Sequence, residues 1–423
     1  MRRLRDLAKR CLPPAVRTAA RAAEDAAEHR LYRPANLGLC LRDALDLPPA
    51  RLPERQEACA GLLDWLARAQ DVWQDGGVAG WYALGAGWSP GYPETTGYII
   101  LTLLESAESL RRPSDLLRAR RAAEWEVRVQ LPDGSWQAGF VSGPPRPAVF
   151  NTGQVIQGLL AAHRTFGDAA FAAAAERGAA WLLAVQDADG AWRRNEYHEV
   201  PHVYATRVAW PLAQLAEQSG DRRVREAARR NLDWALTHQG ADGWFAHCGF
   251  APGEPPLTHT LAYTLEGLVE AAVVLREERY LEAGRRGADA LLLHFERRRR
   301  LAGTYGPGWS GDHRFTCLTG CAQMGRVWGR LFELTGDARY LNATAKINDQ
   351  VLRAVPWSSR NPGLRGGVPG SQPVWGDYMR FRIPNWAAKF ALDSLLQEAR
   401  ALRLLARPAA APAAPAAALA ERA

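Results

Sequence analysis

Six apolar segments of helical length each open on a short polar cluster. The clusters are Glu94-Thr95-Thr96, Asn151-Thr152-Gly153-Gln154, Tyr204-Ala205-Thr206-Arg207, Thr258-His259-Thr260, Leu318-Thr319-Gly320 and Pro384-Asn385-Trp386. Counted from Glu94, Asn151, Tyr204, Thr258, Leu318 and Pro384, the openings recur at steps of 57, 53, 54, 60 and 66 residues. That is the length of one helical hairpin with its loops. Segments rich in Ala, Leu and Arg alternate with them, over Gln56–Gln70, Pro113–Gln130, Ala169–Gln186, Val224–Gln239, Tyr280–Phe295 and Arg339–Ala354. A hairpin that cannot bury its own apolar face must stack on its neighbours. The prediction is an all-α chain in which six hairpins close into a ring over residues 55–406, with the apolar helices inside and six polar openings around one mouth. A helical arm over 1–54 precedes the ring, and a disordered Ala/Pro tail over 407–423 follows it.

Two further signals mark the repeat independently of hydrophobicity. Gly167-Asp168, Gly220-Asp221 and Gly336-Asp337 fall between an inner helix and the next outer one; glycine ends a helix in the left-handed region and aspartate caps its successor. A Gln-x-x-Asp-Gly-x-Trp motif or near variant closes three outer helices, at Gln130 to Trp136, Gln186 to Trp192 and Gln239 to Trp244. The Asp-Gly pair suits a tight turn, the glutamine amide can hold nearby backbone, and the tryptophan can pack over the helix end. This reads as architecture for Asp133, Asp189 and Asp242. The first repeat carries a looser form, Gln70 to Trp81, and the fifth has Trp309-Ser310-Gly311-Asp312.

Composition changes this picture little. The formal charge is +8, yet lysine occurs only at positions 9, 346 and 389; the other basic residues are dispersed arginines. Without a focused basic stripe, no nucleic-acid partner is expected. No apolar run reaches the length of a membrane span, and Met1 to Arg30 lacks the apolar core of a signal peptide. The reading is cytoplasmic, with the Arg- and Ala-rich N-terminal arm, broken at Pro13-Pro14, either a solvated extension or a peripheral contact to the inner membrane face or a polysaccharide synthase. The six cysteines show no disulfide framework. Cys317 and Cys321 lie one helical turn apart and His247-Cys248 precedes another inner helix, a spacing zinc could use, but small buried cysteines are common in cores. No metal or other cofactor is expected.

Trp88-Ser89-Pro90-Gly91-Tyr92-Pro93-Glu94-Thr95-Thr96-Gly97-Tyr98, Phe150-Asn151-Thr152-Gly153-Gln154, Thr258-His259-Thr260-Leu261-Ala262-Tyr263-Thr264 and Asn385-Trp386-Ala387-Ala388-Lys389-Phe390 resemble segments of a bacterial family linked with surface-polysaccharide biosynthesis. The repeat as a whole, over roughly residues 60 to 400, is similar to the six-hairpin or (α/α)6 toroids shared by glycoside hydrolases, polysaccharide lyases and sugar 2-epimerases. The resemblance implies the toroid fold and a glycan context, and a fold by itself fixes no reaction.

Polar side chains at the openings are the candidate chemistry, because buried polar groups are costly unless paired. Glu94, His259, Arg207 and Asp312 are the candidate catalytic groups. Hydrolysis needs two carboxyls flanking the glycosidic bond; Glu94 is the first, and Asp312, Glu196, Glu199 or Asp377 on the rim could be the second. Elimination or epimerisation needs a proton-exchanging base such as His259, with Arg207 or Lys389 opposite a carboxylate or enolate. Each has a structural alternative: Glu94 suits a first helical turn, Asn151 and Thr258 suit helix caps, His259 suits a satisfied core position, and Arg207 wants a carboxylate partner. Binding falls to Tyr98, Asn151, Gln154, Tyr204, Tyr263, Gln323, Asn385, Trp386 and Lys389, with Trp88 and Trp309 as stacking platforms. The leading function is an enzyme that cleaves or remodels an acidic glycan by general acid–base chemistry in the ring. A non-catalytic glycan-binding scaffold and a terpene-cyclase-like toroid are the alternatives, although no Asp-x-Asp-Asp segment is present.

Overall fold

The computed structural model describes residues 22–406. The expectations for Met1 to Arg21, including the break at Pro13-Pro14, and for a disordered tail over 407–423 lie outside the described residues. After a helical segment over residues 22–28 and α1 (Pro34–Ala44), twelve helices alternate between an outer and an inner layer. The outer helices are α2 (Arg55–Asp71), α4 (Pro113–Val129), α6 (Ala169–Val185), α8 (Arg222–Leu236), α10 (Glu278–Arg298) and α12 (Ala338–Ala354). The inner helices are α3 (Pro93–Ser109), α5 (Val149–Phe166), α7 (Thr206–Ser219), α9 (Thr258–Leu275), α11 (Leu318–Thr335) and α13 (Asn385–Leu405). Each inner helix packs on the next, and α13 packs back on α3, so the ring is closed.

The inner layer is tight because glycines let backbones meet. A Cβ on Gly158 of α5 would lie 2.0 Å from the Gly97 carbonyl oxygen of α3, and one on Gly320 of α11 would lie 2.6 Å from the His259 nitrogen of α9. Inner helices are buried nearly all round, whereas α8, α10 and α12 bury one face.

Both sequence signals for the repeat have a physical counterpart. Gly167, Gly220 and Gly336 close α5, α7 and α11 with φ of 69°, 73° and 75°, and Asp168, Asp221 and Asp337 accept the backbone N–H two residues on. In the turn motif, Gln130 Nε2 donates to Gly134 O at 2.9 Å within its own turn and to Ala174 O at 2.8 Å in the next outer helix. Gln186 and Gln239 repeat the pair of bonds one repeat later each time, and Gln70 does so in the looser first copy. Asp133, Asp189 and Asp242 each accept the backbone N–H two residues ahead. One amide thus ties its own loop to the neighbouring repeat, which accounts for the motif without catalysis.

Short strands lie in the rim loops. β1 (Trp81–Ala83) pairs with β2 (Gly87–Trp88) and with β7 (Arg382–Pro384), joining the first and last repeats. β3 (Thr304–Gly306) pairs with β4 (Ser310–Asp312), and β5 (Thr316–Cys317) with β6 (Ser371–Gln372). The described part of the N-terminal arm is clamped onto this seam: Asn36 Nδ2 donates to Leu84 O at 3.0 Å, Arg42 donates to Ala354 O at 2.5 Å, and Asp25 pairs with Arg380.

Candidate active site

Inner-helix N-termini converge at one end of the ring, where several polar openings hold loops in place. Thr96 Oγ1 accepts Val78 N–H, Thr152 Oγ1 accepts Trp136 N–H, and Asn151 Nδ2 donates to Gln137 O at 2.7 Å. Asn385 Nδ2 donates to Ala79 O and to Thr95 Oγ1, and Thr258 Oγ1 to Ala302 O. The helix starts therefore fix the rim.

What the rim encloses is aromatic. Trp81, Tyr92, Phe140 and Trp386 form edge and tilted contacts with ring centroids 5.0–6.4 Å apart, geometry favoured by ring quadrupoles. Deeper, Phe150 meets Tyr204 and Tyr263, and Tyr263 meets Phe390 and His259. The Tyr98 and Tyr263 hydroxyls lie toward each other but outside hydrogen-bonding geometry.

Glu94 sits among these rings in the first turn of α3, part-buried yet still open to the mouth. Burial in this apolar surround pushes its carboxyl up to about 7; the neighbouring Tyr92 hydroxyl and the Arg207 charge offset only part of that. A second carboxyl lies close enough to feel its charge. Glu196, 8% exposed, has Oε1 without any hydrogen-bond partner, and burial raises it to about 8 with the Glu94 charge adding to the shift. Its loop is strained: Asn195, His198 and Glu199 all have positive φ, at 64°, 59° and 52°.

His259, buried on α9, has Nδ1 2.6 Å from Gln323 Oε1. Donation to that oxygen leaves Nε2 as the unprotonated nitrogen. Burial lowers this imidazole to about 4, so it is neutral.

Below the aromatic layer lies a buried ionic network. Arg207 Nε is 3.3 Å from Glu266, whose other oxygen is 2.6 Å from Arg326 Nε. Burial alone would raise Glu266, but Arg207, Arg326 and Lys389 together hold it below the usual carboxylate range. Lys389 pairs with Asp393 at 2.5 Å, and burial lowers its ammonium to about 8. Glu270, Arg330 and Glu333 continue the network toward the far end of the ring.

Measured against the sequence-based candidates, the structure gathers Glu94, Tyr98, Asn151, Tyr204, Arg207, His259, Tyr263, Gln323 and Trp386 around or beneath one mouth. Five candidates need correction. Asp312 is on the β4 hairpin, held by Arg314 at 2.6 Å on the outer side, and is no partner for Glu94. Trp309 donates to Asp242 O and packs on Tyr305 and His294, so it joins repeats on the outside of the ring. Trp88 lies on the face of the β1–β2 hairpin opposite Trp81, against Trp65 and Tyr82. Asn385 is spent on the seam, and Gln154 Nε2 donates to Arg207 O as an interhelical tie. Arg207 and Lys389 do face the interior, but Glu266 and Asp393 already neutralise them. Sequence reasoning missed Glu266 and Asp393, acids within otherwise apolar stretches of inner helices, and Tyr378, whose hydroxyl accepts from Trp386 Nε1 at 2.8 Å. Cys248, Cys317 and Cys321 are buried and unpaired, and no metal-holding group of three His, Cys, Asp or Glu side chains exists among the described residues.

Solved structures with this geometry cover most of the chain. An unsaturated glucuronyl hydrolase specific for heparin aligns over 82% of this chain and 98% of its own, with TM-score 0.67 and 15% identity. Cellobiose 2-epimerase from Spirochaeta thermophila DSM 6192 aligns over 84% and 97%, with TM-score 0.66 and 16% identity. The chain is an (α/α)6 toroid. A family 88 glycosyl hydrolase from Bacteroides vulgatus is a further match, over 82% of this chain and 100% of its own, with TM-score 0.62 and 10% identity. The family model of the squalene-hopene cyclase C-terminal domain matches residues 93–269, the stretch holding all three full turn motifs. No curated protein sequence matches. No helix among the described residues is long and apolar enough to cross a membrane.

Proposed function

We propose that this toroid is a carbohydrate-active enzyme that cleaves or remodels a glycan in bacterial surface-polysaccharide metabolism, with Glu94 as the proton donor. The observation that carries the reading is the pair of buried carboxyls Glu94 and Glu196, the second feeling the charge of the first, at an aromatic mouth. Protonation of a glycosidic oxygen and activation of water or attack at carbon require one carboxyl that holds a proton beside one that has lost it; burial raises both groups and the charge on Glu94 keeps Glu196 protonated, so the pair shares a single proton near neutral pH. Tyr92 and Trp386 offer faces for the apolar side of a sugar ring, and the Tyr98 and Tyr263 hydroxyls offer hydrogen bonds. Hydrolases and epimerases among the structural relatives agree with this chemistry class. Epimerisation would use His259 as the proton acceptor, and its ordered Gln323 partner favours that as the second reading. Acidity of the glycan is not demanded by the ring interior, since Arg207 and Lys389 are already paired.

The test is turnover of a panel of neutral and acidic bacterial polysaccharides by the wild type, Glu94→Gln, Glu196→Gln and His259→Ala. Loss of turnover in folded Glu94→Gln and Glu196→Gln, with new reducing ends in the wild type, supports hydrolysis. Isomerised sugar lost only with His259→Ala moves the assignment to epimerisation. Binding that survives all three substitutions without turnover would leave a glycan-binding scaffold. Cyclisation of a polyprenoid would establish the cyclase alternative that the family-model match suggests.

A further inference from the structure

On the outside of the ring, an open groove of about 840 Å³ lies between the end of α1, the C-terminal end of α10, the outer face of α12 and the tip of β6. None of the residues gathered at the mouth lines it, so the groove is separate from the ring interior. Its floor includes Phe295, and its lining carries Arg299, Arg300, Lys346 and Arg353 against Asp43, Asp46 and Asp349.

The charges do not cancel one another within the groove. Asp43 pairs with Arg42 and accepts Val374 N–H, and Asp349 pairs with Arg55 at 2.7 Å; only Asp46 is left to the groove. Arg300 donates to His313 O. Arg299, Lys346 and Arg353 make no ion pair or side-chain hydrogen bond with any described residue. Arg299 and Arg353 lie at the C-terminal ends of α10 and α12, where positive charge complements the helix dipole. Lys346, in the middle of α12, has no such reason to be there. Gln350 also lines the groove, and its buried Oε1 lacks a hydrogen-bond donor.

We propose that this groove is a second ligand site, for an acidic saccharide whose carboxylate or sulfate groups meet Arg299, Lys346 and Arg353 and whose hydroxyls supply the donor that Gln350 lacks. The site is separate from the ring mouth, and its occupancy does not depend on the chemistry at Glu94.

The experiment is calorimetric titration of the full chain carrying Glu94→Gln, so that turnover cannot consume the probe. The probes are an oligogalacturonate, a sulfated disaccharide, a neutral cello-oligosaccharide and inorganic phosphate, each at low and at 0.5 M salt. The expected result is saturable one-site binding of an acidic saccharide, weakened at least tenfold by Lys346→Glu with Arg353→Glu and weakened by salt. Both side chains are exposed, so the unfolding midpoint should hold. Arg222→Glu, a single charge reversal on α8 outside the groove lining, should leave binding unchanged. Equal weakening by Arg222→Glu, indifference to the double reversal, no binding of either acidic saccharide, or phosphate binding as tightly as they do would each overturn the assignment.

Discussion

Substitution of Glu266 by Gln removes the single negative charge placed between Arg207 and Arg326 while keeping the side chain's shape. Both Arg207 and Glu266 are about 2% exposed as side chains, so water cannot replace the lost partner. Arg326 keeps Glu270 at 3.4 Å, but Arg207 has no other ion-pair partner among the described residues and retains Gln157 Oε1 at 3.3 Å and the ring faces of Trp210, Tyr263 and Phe390. Breaking a buried pair from one side costs about 3–5 kcal/mol, because a charge is left desolvated and unpaired. With an unfolding entropy of about 2.1 cal/mol/K per residue, a chain this long unfolds with roughly 0.9 kcal/mol/K, so the midpoint should fall by about 3–6 °C. Adding Arg207→Met removes the stranded charge and should restore part of the loss, giving a coupling of at least about 2 kcal/mol in a double-mutant cycle. The effect has a defined pH sign. Glu266 is held below its ordinary range in the folded ring, so the wild type's advantage is present above the unfolded carboxyl pKa and disappears as pH falls through the folded one. The assay is thermal and urea unfolding of the four proteins from pH 3 to 7. A loss under about 1 kcal/mol at pH 7, or additive single effects, would refute a network that holds the ring together at its base.

Because the Glu94 carboxyl must carry its proton to act as an acid and burial holds it at about 7, turnover should decline as pH rises through that value. A pH–rate profile flat from pH 6 to 9 would exclude it as the donor. Gly320→Ala should destabilise the ring by about 1–3 kcal/mol, since the new methyl meets the Thr258–His259 backbone; unfolding in urea checks this, and a neutral result would mean α9 and α11 can separate freely. Gln186→Ala removes two donors, to Gly190 O and Ala227 O, and should cost about 1–3 kcal/mol with no change in KM. A KM shift there would contradict a purely architectural motif.

The fold was legible because its signals are local and repeated. A glycine forced to positive φ, an aspartate two residues before an amide, and a glutamine able to reach the next outer helix act within short reach, so their spacing along the chain reports their geometry directly. The mouth was legible for a related reason: inner helices all start at one end, so a residue's place in its helix fixes whether it reaches the rim. Glu94, Tyr98, His259 and Trp386 follow that rule. Asp312 breaks it because its loop folds back as a hairpin before α11 begins, and Trp309 because that hairpin turns outward; loop direction has no periodicity to read. Ion pairing was hidden for a different reason. Arg207 finds Glu266 two turns into α9, on the neighbouring inner helix, and nothing in sequence spacing distinguishes that partner from Glu94. The consequence for function is specific: the interior's positive charges were already matched, so the carboxyls above them, rather than the cations, are what the ring presents to a substrate, and unpaired positive charge is found instead in the groove outside the rim.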